Sequence, residues 1–154
     1  MDAARQQPPT RFRSDTESFQ HAMSLPIGQV VRELSDLLGA TAVAAIGGVS
    51  ETRAVTQWTK GREPQRAHVL RFALQVAGMI ATGADSEVAR AWFNGSNPQL
   101  DDRTPLAMLQ QEPLHEIQGA LLEAARSFAQ REAWENAGPH TPNNGSDGNL
   151  FAGM

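Results

Sequence analysis

A chain of 154 residues with 40% hydrophobic content has room for one domain or two small ones, at about 150 residues per domain, and for only a modest core. A net charge of −4 argues against a general nucleic-acid binder, and the lack of cysteine excludes disulfides, thiolate metal ligands and a cysteine nucleophile. No apolar run reaches the roughly 20 residues of a membrane helix, and residues 1–13 lack the apolar stretch of a signal peptide, so the cytoplasm is the expected compartment.

Residues 1–24 show no sustained period and contain a Pro-Pro break, which predicts a disordered arm. From residue 25 onward the periodicity is helical and strand alternation is absent. Ile27, Val30, Val31, Leu34, Leu37 and Leu38 form one apolar face, ended by Gly39. A short helix is predicted over 41–46, then a break at Gly47-Gly48 where positive φ is available. Ser50 is the expected N-cap of a third helix that runs to Lys60 and stops at Gly61. The stretch 65–82 is apolar nearly all round, as a helix buried on more than one side must be.

Asp85 is the expected cap of a short helix to about residue 93. A loop over 94–98 leads to a helical turn near 105–110, with Asp101 or Asp102 as its cap, and a last helix starts at Pro113. That helix puts Leu114, Ile117, Leu121, Ala124, Ala125 and Phe128 on one face, with His115, Glu116, Glu123 and Arg126 opposite. Residues 133–154 are mostly turn formers and predict a disordered tail. The expected fold is all-α: a helix-turn-helix bundle over 25–83, joined by a long central helix to a small helical unit over 84–132.

Charge is unevenly distributed along this frame. Residues 25–83 carry six basic and four acidic side chains, net +2, whereas residues 84–130 carry three and seven, net −4. Residues 48–72 alone hold five basic and two acidic side chains, net +3. Such asymmetry predicts two faces with different partners.

The segment 40–64, ATAVAAIGGVSETRAVTQWTKGREP, has the parts of a DNA-reading helix-turn-helix. Gly48 suits the tight turn, Val49 closes over the joint, and Val55 and Trp58 lie on the inward face. The outward side chains would be Thr52, Arg53, Thr56, Gln57 and Lys60; Arg and Gln can pair bidentately with guanine and adenine edges. Ser50 at the helix start suits a phosphate, and Arg62 and Arg66 are positioned to grip the backbone. The bland alternative is an ordinary three-helix corner with a solvated polar face.

Val49-Ser50, Val55, Trp58, Gly61 and Pro64-Gln65-Arg66 resemble the Xre-type helix-turn-helix of the Xre/MbcA/ParS antitoxins. Residues 92–109, WFNGSNPQLDDRTPLAML, resemble the toxin-binding domain of the same family at Trp92, Phe93, Asn97, Leu100, Arg103, Pro105 and Leu109. The two halves stand in the family's order, and the resemblance covers about residues 27–130. Two features depart from it: Ser96 precedes Asn97 and Pro98 follows it, and the last helix lacks the family's terminal Gly. The resemblance implies an antitoxin that covers the active site of a RES-type, NAD-consuming toxin and represses its own promoter, as an oligomer or with its toxin. Trp92, Asn97, Arg103, His115, Glu116, Glu123 and Arg126 are the implied toxin contacts.

No enzyme chemistry is expected. His21, His68, His115 and His140 are dispersed, no Gly-x-Ser-x-Gly occurs, and Gly47-Gly48 lacks the ending of a phosphate loop, so neither metal nor cofactor is anticipated. Met79 and Met108 read as core filler, and Trp58 as a structural residue. The remaining alternatives are a stand-alone regulator whose second half dimerises, and an adaptor that has lost DNA binding.

Overall fold

The computed structural model describes residues 15–81 and 86–135. Among these, eight α-helices and one 3₁₀ turn form, with no strand: α1 (Asp15–Ser24), α2 (Ile27–Leu38), α3 (Ala40–Ile46), α4 (Thr52–Thr59), α5 (Ala67–Ala81), α6 (Ser86–Asn94), the 3₁₀ turn (Pro98–Leu100), α7 (Pro105–Gln111) and α8 (Leu114–Glu135). The all-α class therefore holds. The expected arm over 1–14, the Asp85 cap and the tail over 136–154 fall outside the described residues.

Every residue of α5 from Val69 onward is buried except Arg71. The helix packs against α1, α2, α3, α6 and α8, as its all-round apolar sequence requires. Contacts also cross the expected boundary at 83/84 without passing through α5: α2 lies on α6, and α3 on α7. Buried side chains from Ala22 to Ala125 form one continuous core, so that boundary is not a break in packing.

Residues 15–24 differ from the sequence expectation: they form α1, seated on α5. The reason is an inverted pattern. The residues that α1 buries are small, Ser18 and Ala22, while Phe19 and Met23 are about half exposed at 49% and 51%. At the other end, α8 continues three residues past the expected limit at 132.

Helices leave their last carbonyls without intrahelical partners, and four arginines satisfy them here. Arg32 Nη2 donates to Thr59 O of α4 at 2.8 Å, and Arg90 Nε to Leu37 O of α2 at 3.0 Å. Arg71 Nη1 donates to Ala22 O at 2.9 Å and Leu25 O at 2.7 Å, closing the end of α1. Arg66 forks, with Nη1 on Ile46 O of α3 at 2.8 Å and Nη2 on Leu109 O of α7 at 2.9 Å. A cation beside a helix C-terminus also meets the negative end of the helix dipole.

Candidate nucleic-acid interface

A five-residue turn joins α3 to α4, and two glycines make it possible for different reasons. Gly48 has φ +84, a conformation that L side chains rarely adopt. Gly47 has an ordinary φ of −76, but a Cβ there would overlap the ring of Trp58. Trp58 is only 5% exposed and, with Val55, forms the buried side of α4. The end of α4 lies on α2, where a Cβ on Gly28 would stand 3.0 Å from Thr59 O. Arg32 of α2 caps that same carbonyl. Thus α4 is clamped from α2 and from the turn, and its other side is left to solvent.

That other side carries Thr52, Arg53, Thr56 and Gln57, all exposed, and Lys60 continues it at the C-cap. At 3.6 residues per turn these positions span an arc of about 140°. Ser50 and Arg62 are exposed next to this ridge. Arg53 Nη2 lies 3.3 Å from Glu51 Oε1, with both side chains well exposed, a kind of pair that contributes little to stability.

Two expected roles are corrected. Ser50 is not the N-cap: α4 begins at Thr52 with Glu51 in the cap position, and the Glu51 side chain makes no cap hydrogen bond. Arg66 does not face outward to a backbone phosphate, because its guanidinium lies under the turn on the carbonyls of two helix ends. Arg71, counted in the net +3, is likewise engaged with the end of α1. The cations presented around α4 are Arg53, Lys60 and Arg62, flanked by Glu51 and Glu63.

The second set of expected residues divides in a similar way. Trp92 is buried and meets Phe93 edge-to-face at 5.3 Å. Asn97 organises its own turn: its side chain accepts from Gln99 N at 2.9 Å, and its amide donates to Arg103 O at 3.2 Å. Asp101 and Asp102 occupy left-handed positions in this turn, φ 58 and 64, and Thr104 caps α7 in their place. Arg103 Nη1 pairs with Glu112 Oε2 at 2.9 Å while remaining half exposed. His115, Glu116, Glu123 and Arg126 do share an exposed face of α8, spanning about 100° of arc.

Among the described residues, no three His, Asp or Glu side chains are placed to hold a metal ion, and no helix is long and apolar enough to cross a membrane. No family model, curated protein or solved structure matches the chain.

Proposed function

We propose that this chain is a regulator of the antitoxin kind. In this reading the ridge on α4 enters the major groove of an operator in its own promoter. Arg103 and the exposed face of α8 contact a RES-type toxin, and the protein acts as an oligomer. The observation that carries the first half is the outward placement of Thr52, Arg53, Thr56, Gln57 and Lys60 on a helix whose opposite side, Val55 and Trp58, is locked into the core. Side chains held on a rigid support lose little freedom on meeting a base edge, and Arg53 and Gln57 carry the bidentate donors that direct readout uses. With three cations near the reading helix, the slope of log K against log[salt] is expected at about −3 per protomer and doubles in a dimer.

Fluorescence anisotropy with the chain's own upstream duplex, measured over a salt series, tests this half. Lys60→Ala should weaken binding on every sequence and reduce the slope by about 1, whereas Gln57→Ala should relax sequence preference. Binding that never exceeds that of an unrelated duplex would sink it.

The partner half rests on the resemblance and on the outward row of α8. Co-expression with the neighbouring reading frame tests it: growth should be rescued, and Glu123→Arg should abolish the rescue. One observation favours a second reading, a stand-alone regulator whose C-terminal half dimerises. Trp92, which is buried, and Asn97, whose side chain is bonded within its own turn, carry much of the resemblance there and already have duties inside the fold. Under that reading Glu123→Arg changes the oligomeric state and no neighbouring gene is toxic.

A further inference from the structure

Helix α1 sets its small side chains, Ser18 and Ala22, against its own body and turns its large ones outward. Phe19 and Met23, each about half exposed, lie one helical turn apart. Thr16, also exposed, stands three residues before Phe19. The row therefore steps by three and then four, the spacing of a seam that meets a second helix. Gln20 is exposed at its edge, and all four side chains are uncharged.

This row is held in place. Arg71 of α5 closes the end of α1, and His21 Nε2 lies 2.7 Å from Glu33 Oε1 of α2. A face fixed in this way loses little freedom on meeting a partner. It also adjoins the reading helix. Pro26, two residues past α1, caps α2, whose first turn sets Gly28 against Thr59 at the end of α4.

We infer that the row is the contact between two copies of this chain, paired antiparallel about a dyad near residue 21. A dyad demands a face that complements itself. Turned end for end, this row does so: Phe19 meets Met23 of the second copy and Met23 meets its Phe19, giving two sulfur–aromatic contacts. With no charge in the row, no like charges are brought together across the dyad. Half of an aromatic side chain is about 100 Å², so four such half-exposed side chains bring together roughly 400 Å². With the flanking residues this stays below the roughly 1,200–2,000 Å² of a stable complex. The area therefore sets a weak dimer, strengthened when two copies share one duplex. The inference rests on the oligomer part of the reading above and gives it a surface.

Sedimentation velocity of the full chain, from micromolar to millimolar concentration, should show a reversible monomer–dimer equilibrium. Phe19→Ser combined with Met23→Ser should raise its dissociation constant by about tenfold or more at unchanged helicity, whereas Glu123→Arg should leave it alone. Introduced cysteines report the orientation, because the chain has none of its own. At about 1.5 Å per residue, the two copies of Gln20 stand about 3 Å apart along the helices and those of Thr16 about 15 Å. Gln20→Cys keeps Phe19 and Met23 and should close a disulfide dimer much faster than Thr16→Cys under mild oxidation. This comparison decides alone if the serine pair unfolds the chain. A chain that stays monomeric throughout would overturn the inference, as would Thr16→Cys closing as fast as Gln20→Cys. So would a dimer that ignores both serines, or one that Glu123→Arg dissolves, which would place the contact in the C-terminal half. A monomer that still reads its operator removes this contact and leaves the role of α4 standing. An intact dimer without specific duplex binding does the reverse.

Discussion

Arg66 and Trp58 show how much single side chains decide in this molecule. Arg66 donates from both ends of one planar fork to the ends of α3 and α7, a geometry that a lysine ammonium cannot reproduce. Arg66→Lys keeps the charge and leaves carbonyls unsatisfied, so it should lower stability by about 1–3 kcal/mol in urea unfolding, without changing the salt slope of DNA binding. A loss of slope with full stability would return Arg66 to the phosphate role. Trp58→Ala should cost about 3–5 kcal/mol, because the ring fills the space between α4 and the turn. Gly47→Ala overlaps that ring and should be destabilising by about 1–3 kcal/mol alone, yet nearly neutral in the Trp58→Ala background. Additivity of the two in a double-mutant cycle would mean that they do not share the space.

At the level of elements, legibility followed which side chains are large. For α2 the expected and observed ends coincide, because Val30, Val31, Leu34 and Leu38 announce the buried face and Gly39 at φ +91 stops it. For α1 the buried face is Ser18 and Ala22, and small residues carry no periodic signal; only the neighbouring surface of α5 makes them a core position. Ser18 Oγ is buried without a hydrogen-bond partner, so Ser18→Ala should raise stability by up to about 1 kcal/mol. Ala22→Leu should push α1 away from α5 and cost about 1–3 kcal/mol, visible as faster amide exchange across α1. Phe19→Ser, on the outer side, should stay within about 0.5 kcal/mol of the starting protein. If Ala22→Leu leaves exchange in α1 unchanged, the helix is not seated as described.

For the whole molecule, the shared core makes one prediction that the expected two-unit division does not. Helices on both sides of residue 83 pack directly on each other, so secondary structure and tryptophan fluorescence should report a single coincident urea transition. Two separated transitions would restore two subdomains.

Apolar periodicity and glycine punctuation by themselves determined the all-α class, α2, the burial of α5 and the outward polar ridge of α4, since each is a local property of which residues recur at helical spacing. The charge count around α4 was legible only in part, because sequence lists Arg66 and Arg71 beside Arg53 without showing which cations turn inward. Tertiary structure decided that, along with the seating of α1 and the internal duties of Trp92 and Asn97. Each depends on a carbonyl, a small-residue surface or a turn amide supplied by chain far away or by a backbone conformation that residue identity does not announce.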